Sequence, residues 1–175
     1  MLQRRNVAFG ARTRRGVLAA GVLAGLVALV TGAGGGVGEL TRVSDGDTIG
    51  LGGVRSRIWG IDAPEMGQVC RIAGRSVRIG AEAKRFMTNL VSNGELRCDR
   101  VGAPDQYDRP VVRCWARGAD VAEMLTRAGW AWDDPEFSGG AYAAPEAQAR
   151  AAGLGVWGGR CEPPWDYKRR QRRHG

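Results

Sequence analysis

Residues 43–65 read VSDGDTIGLGGVRSRIWGIDAPE, and the fold turns on this stretch. Leu40, Val43, Ile49, Leu51, Val54, Ile58 and Ile61 are strand formers set among polar residues, and Asp45-Gly46 and Gly52-Gly53 interrupt them. Two-residue Gly-Gly links suit tight hairpins, so Glu39–Ile61 is predicted to form three short antiparallel strands. That pairing also places charge. Asp47 begins the second strand and Asp62 ends the third, so a hairpin brings their carboxylates side by side. With the Ala63 carbonyl they form a hard, oxygen-only site open on one side, which suits Ca²⁺ and its ~6–8 oxygen ligands. Asp45 stands in the same turn as Asp47.

Outward from this stretch the period changes. Ala83, Phe86, Met87, Leu90 and Val91 recur at helical spacing, which predicts a helix within residues 76–92. Leu96–Val101 and Pro110–Arg117 read as two further strands around a polar loop. A second helix carries Val121, Met124, Leu125 and Ala128 on one face, with Asp120 as its cap and Gly129 as its stop. A third covers roughly 145–152, stopped by Gly153 and Gly155. The order β-β-β-α-β-β-α-α predicts an α+β fold, mainly β: a closed five-stranded Greek-key barrel of the OB type with three helices. The globular domain is expected over residues 34–165, with 166–175 a basic, solvated and frayed tail.

The chain has 175 residues, 43% of them apolar, and a formal net charge of +8. Its basicity lies at the ends. Residues 1–33 hold Arg4, Arg5, Arg12, Arg14 and Arg15 with no acid, and 166–175 hold Lys168, Arg169, Arg170, Arg172 and Arg173 against Asp166; the 34–165 segment nets −1. A protein that coats nucleic acid through overall charge is thereby excluded, and any polyanion site must be a local Arg cluster. Arg14-Arg15, the uncharged run 16–38 and the small residues at Thr31-Gly32-Ala33 have the layout of a secretory signal cleaved after Ala33. The string Thr13–Leu18 fits a twin-arginine signal. Export by the Sec or twin-arginine route is expected, the alternative being an uncleaved membrane anchor through residues 16–38. Cys70, Cys98, Cys114 and Cys161 lack zinc-site spacing, and an exported chain would carry two disulfides, for which three pairings exist.

Cations accompany the acids. Arg57 lies on the third strand, five residues before Asp62, and Arg109 opens the fifth strand behind Tyr107. Arg grips phosphate bidentately and stays charged, so two of them make a clamp. Glu65 is a carboxylate left free to accept a proton from water. A metal, two Arg and a free carboxylate are the parts needed to hydrolyse a phosphodiester. His174, the only histidine, reads as an exposed tail residue.

These motifs resemble those of the staphylococcal nuclease (thermonuclease) family, in order: Asp45-Gly46-Asp47-Thr48, Arg57, Asp62-Ala63-Pro64-Glu65, then Asp105-Gln106-Tyr107-Asp108-Arg109. Gly129-Trp130-Ala131 and Glu146–Ala149 fit its later helices, and the resemblance spans about residues 38–160. It implies an OB barrel with three helices and a Ca²⁺-dependent nuclease. Asp47, Asp62 and the Ala63 carbonyl would ligate the metal, with Asp45 acting through water. Glu65 would be the general base, Arg57 and Arg109 would hold the scissile phosphate, and Tyr107 would lie near the nucleotide. The sequence departs from the family at Ala63, in the short Gly52-Gly53 hairpin and in Trp130–Ala144, where Trp132 and Tyr142 are candidates to stack on a base or simply to pack. Cys98 and Cys114, roughly equidistant from the loop between the last two strands, are expected to pair, leaving Cys70 for Cys161. The leading expectation is an exported, monomeric nuclease cutting DNA, RNA or both with little sequence preference and no obligate protein partner. The alternatives are a non-catalytic OB-fold module that binds single strands or a protein, and an envelope-anchored accessory protein.

Overall fold

The computed structural model describes residues 38–92 and 94–174; the expected signal or anchor at 1–33 lies outside the described residues. Among the described residues no helix is long and apolar enough to cross a membrane. The three expected amino-terminal strands are β1 (Leu40–Val43), β2 (Thr48–Leu51) and β3 (Val54–Ile58), all antiparallel. Gly52 and Gly53, at φ 56° and 83°, make the two-residue turn, a backbone that L side chains resist. A short strand, β4 (Ile61–Asp62), follows directly.

Residues 70–77 depart from the helix expected to begin at 76. They form a hairpin, β5 (Cys70–Ile72) and β6 (Arg75–Val77), before helix α1 (Ile79–Ser92) starts. α1 buries Ile79, Gly80, Ala83, Met87 and Val91 along one face. Next come β7 (Leu96–Arg100), β8 (Val111–Ala116) and β9 (Ala119–Asp120). β8 pairs antiparallel with β7 and parallel with β3, giving the sheet order β1-β2-β3-β8-β7, with β9 beside β8. The fold is thus α+β and mainly sheet. The closed barrel expected from the strand count is absent among the described residues: β1 and β7 end the hydrogen-bonded path without pairing to each other. Turn chemistry specifies which strands are neighbours, whereas closure also depends on stagger, and β1 is only four residues long with a bulge between Leu40 and Arg42.

Helix α2 (Val121–Arg127) is capped by Asp120, whose Oδ1 accepts the N–H groups of Ala122 (2.9 Å) and Glu123 (3.2 Å). β10 (Trp132–Asp133) then pairs with β4, placing Trp132 opposite Asp62. A four-residue helix, α3 (Pro135–Ser138), precedes α4 (Ala143–Ala151), the helix expected near 145–152. After a 3₁₀ turn at Gly155–Gly158, β11 (Gly159–Arg160) pairs with β5. Among the described residues there are five α-helices where three were expected.

The largest correction concerns the carboxyl end. Residues 166–174 are not a frayed tail but most of a helix, α5 (Pro164–His174). Pro164 at its first position and Asp166 in its first turn favour helix initiation there. Tertiary contacts do the rest: Cys161 is disulfide-bonded to Cys70, Gln68 Nε2 donates to the Glu162 carbonyl, and Trp165 meets Trp132 edge to face at 6.2 Å. The other disulfide joins Cys98 to Cys114, which stand opposite each other on β7 and β8. The main core gathers Ile49, Ile58, Ile61, Met87, Val112 and Leu125 between sheet and helices.

Candidate active site

The turn between β1 and β2 carries Asp45-Gly46-Asp47. Gly46 is packed so closely that a Cβ would lie 2.7 Å from the Ala63 Cβ and 2.9 Å from the Ala83 Cβ, so the turn is seated on both the 62–63 segment and α1. The Asp47 N–H donates to Asp45 Oδ1 (3.1 Å). The Asp47 carboxylate, buried, accepts from Arg57 Nη1 (3.1 Å), from the Ala63 N–H (3.0 Å) and from Thr48 Oγ1 (3.0 Å). Pairing of Thr48 with Arg57 across β2 and β3 makes this contact possible. The second guanidinium nitrogen donates to the Ile61 carbonyl (3.0 Å) and to Asp62 Oδ1 (3.3 Å). One arginine therefore spans the two carboxylates that the hairpin brings together.

The charge balance of this group is tight. Burial works against the charge on Asp47, yet Arg57 and the Ala63 N–H hold its carboxyl below the ordinary range. Burial and the neighbouring Asp47 push Asp62 up to about 6, against the pull of Lys168 and Arg57. Burial and Asp47 likewise push Asp45 up to about 6. Burial opposes the charge on Arg57 too, but Asp47 and Asp62 bind its proton more firmly than usual. The paired, buried carboxylates of Asp47 and Asp62 offer oxygen-only donors of the kind a hard divalent cation takes. Among the described residues no group of three or more His, Cys, Asp or Glu side chains forms a metal cage, so Asp47 and Asp62 would complete their coordination with a main-chain oxygen, water and substrate.

Arg109 is reached through Thr48: its Nη1 donates to Thr48 Oγ1 (3.2 Å), the same hydroxyl that donates to Asp47. Asp105 sets its direction, accepting from Arg109 Nε (2.8 Å), Nη2 (2.6 Å) and the backbone N–H groups of Arg109 and Tyr107 (both 3.0 Å). Tyr107 is 65% exposed, with the Arg109 guanidinium 5.3 Å from its ring centre. Glu65 follows β4 on a turn that Gln68 braces from both sides, by Gln68 N–H to the Glu65 carbonyl (2.8 Å) and Glu65 N–H to Gln68 Oε1 (3.2 Å). Its side chain is 42% exposed, so the carboxylate stands open to water.

Asp45, Asp47, Asp62, Ala63 and Arg57 thus form one hydrogen-bonded unit, Arg109 joins it through Thr48, and Glu65 joins it through Lys168. Tyr107 touches only the Arg109 edge. Trp132 and Tyr142 are buried, Trp132 against Trp157 and Trp165, Tyr142 against Trp59 with its hydroxyl donating to Asp120 Oδ2 (3.1 Å); neither is open to stack on a base. Four residues that sequence reasoning left without a role belong to the site: Thr48, Asp105, Gln68 and Lys168. Lys168 Nζ lies 2.9 and 3.2 Å from the Asp62 oxygens and 3.2 Å from Glu65 Oε1. The signal for it was Pro163-Pro164-Trp165-Asp166, a helix start where a tail was expected.

The chain is 36% identical over 124 residues to the succinoglycan biosynthesis protein ExoI of Rhizobium meliloti (strain 1021), covering 69% of this chain and 63% of that protein. It is 36% identical over 127 residues to the probable endonuclease LCL3 of Pyricularia oryzae, and 31% identical over 125 residues to the probable staphylococcal-like nuclease CAN2 of Oryza sativa subsp. japonica. These cover 65% and 67% of this chain, but only 48% and 30% of the respective relatives, so the chain spans between 30% and 63% of the length of these three proteins. A family model described as staphylococcal nuclease homologue matches residues 55–159, more than half of the chain, from Arg55 on β3 to Gly159 at the start of β11. The chain belongs to the staphylococcal nuclease homologue family.

Proposed function

We propose that this chain is a Ca²⁺-dependent nuclease that hydrolyses phosphodiester bonds of DNA, RNA or both with little sequence preference, on an OB-type fold. The observation that carries the proposal is the single unit in which Arg57 bridges Asp47 and Asp62, while Thr48 links Asp47 to Arg109. A binding module has no use for two half-buried arginines fixed beside paired carboxylates; a phosphate undergoing attack does.

Asp47, Asp62 and the Ala63 carbonyl would hold the cation, with Asp45 supporting it through water. When bound, Ca²⁺ supplies Lewis-acid polarisation of a phosphoryl oxygen. Arg57 and Arg109 each keep N–H groups beyond those committed to protein and direct them at the phosphate. There they neutralise charge that grows on the equatorial oxygens as water adds to phosphorus and the bond to the leaving ribose oxygen breaks. Asp105 positions Arg109 beforehand, so no reorganisation is needed at the moment of reaction. Glu65, exposed and joined to the same unit through Lys168, accepts the proton that the attacking water gives up. Tyr107 borders the nucleotide. The site is centred on a phosphate, and phosphate contacts carry no sequence information.

Export through the amino-terminal signal, or anchoring by it, and action as a monomer complete the proposal. The likeness to a succinoglycan biosynthesis protein supports a second reading, an accessory role in the cell envelope that needs no cutting. Incubating the protein with single-stranded DNA, duplex DNA and RNA, in Ca²⁺ and in EDTA, separates the two. Cutting that EDTA abolishes supports the nuclease; intact substrates in every Ca²⁺ sample support the accessory role.

A further inference from the structure

We infer that Lys168 is an internal competitor for the divalent cation, carried on α5, and that it sets the metal concentration at which the site fills. The inference rests on the proposed metal site at Asp47 and Asp62. Both Asp62 oxygens face the Lys168 ammonium at 2.9 and 3.2 Å, and Glu65 Oε1 faces it at 3.2 Å. A Ca²⁺ ion needs oxygens of this kind at about 2.3–2.6 Å. Ammonium and metal cannot both hold Asp62 at these distances without two cations meeting in a half-buried cleft. Lys168 also pairs with the carboxylate proposed as general base, so one side chain engages both the metal site and the proton acceptor.

The contact is built, not incidental to a loose end. Lys168 comes to Asp62 from 106 residues away in sequence. It is delivered by a helix whose start is fixed by the Cys70–Cys161 disulfide, by Gln68 on the Glu162 carbonyl and by Trp165 on Trp132. Gln68 braces Glu65 as well, so the approach of Lys168 is referenced to the segment that carries the base. The neighbouring cations do not share the position: Arg169 pairs with Asp166 and Arg170 with Glu162, both on the outer side. Lysine is also suited to this use, since its ammonium is a compact point charge on a flexible stem that can withdraw without unwinding the helix. Linkage requires reciprocity: whatever factor Lys168 takes from metal affinity, the metal takes from the hold of α5 on the site.

The test reads binding rather than turnover. Ca²⁺ affinity is measured by calorimetry, and Tb³⁺ affinity by luminescence, for the full chain, Lys168→Met, Lys168→Gln and the exposed control Arg172→Met. Couplings of this type span about 5–150-fold. The inference expects Kd to fall by about fivefold or more in both Lys168 variants and to change less than about twofold in the control. It further expects hydrogen exchange across residues 164–174 to quicken when wild type is saturated with Ca²⁺. Unchanged Kd in both Lys168 variants, with binding that Asp47→Asn abolishes, overturns the inference and leaves the metal site standing. Absence of metal binding in every protein overturns the metal site and the inference together.

Discussion

Gly80→Ala isolates the contact between α1 and the segment that carries Glu65. Gly80 is the second residue of α1, and a Cβ placed on it would lie 1.9 Å from the Glu65 carbonyl oxygen, 2.5 Å from the Glu65 carbonyl carbon and 2.8 Å from the Met66 Cα. All three are backbone atoms, so no side chain can swing aside. Reaching even a 3.0 Å contact from 1.9 Å requires a shift of about 1.1 Å between helix and segment. Overpacking of this kind costs about 1–3 kcal/mol. Alanine returns at most about 1 kcal/mol of helix propensity, and less so near a helix start. The net expectation is a loss of roughly 0.5–2.5 kcal/mol, measured by urea unfolding with its slope unchanged. The catalytic consequence is larger than the stability loss, because displacing a reacting group by about 1 Å can cost about 10²-fold in rate. Hydrolysis of a single-stranded oligonucleotide under conditions where the variant stays folded reads that loss directly. A variant that is as stable as wild type and cuts at the same rate refutes the reasoning, since α1 would then not be what positions Glu65.

Asp120→Ala should cost roughly 2–4 kcal/mol, the sum of a lost helix cap and the stranded Tyr142 hydroxyl and Arg113, while Asp120→Asn, which keeps an acceptor, should cost less; thermal unfolding decides. Replacing Cys70 and Cys161 together by Ser opens a loop of 91 residues and should cost about 2–5 kcal/mol, seen as a lowered Tm, with α5 losing protection from hydrogen exchange before the sheet does. Asp105, although burial opposes its charge, is held below its ordinary value by the Arg109 side chain and by the N–H groups of Arg109 and Tyr107. Its folded value lies under the unfolded one, so its contribution is complete above about pH 4 and fades as pH falls through the folded value. The stability gap between wild type and Asp105→Asn should therefore close on acidification below about pH 4, and a gap that widens there would count against the Asp105–Arg109 pairing.

How much of this could be read from the residues depended on sequence distance. The β1-β2-β3 run was legible because Ile49, Leu51, Val54 and Ile58 alternate around Gly52-Gly53, and a two-residue turn leaves only one register. The same register put Arg57 opposite Thr48 and Asp47 beside Asp62, so the heart of the site followed from local rules. The hairpin at 70–77 did not, since Arg71, Arg75, Ser76 and Arg78 give it no apolar alternation; it is held by Gly159 and Arg160 from far along the chain. α3 is four residues long and exists because Asp133 and Asp134 anchor Ser138, through a 2.6 Å hydroxyl contact and a 2.8 Å backbone bond. α5 was hidden by its composition. A run of Lys and Arg looks solvated until a disulfide and a tryptophan pair fix its start, and no periodicity announces an ion pair across 106 residues.

The central claim, that Glu65 accepts a proton from water beside a metal-held phosphate, is tested most directly by single-turnover hydrolysis comparing wild type with Glu65→Gln in saturating Ca²⁺. The substitution preserves shape while removing the basicity and the charge that pairs with Lys168, and general-base catalysis contributes about 10²–10⁴-fold. Wild type should cut with a rate that EDTA abolishes, and Glu65→Gln should bind Ca²⁺ and substrate yet cut at least about 10²-fold more slowly. A Glu65→Gln rate within about threefold of wild type would contradict the account.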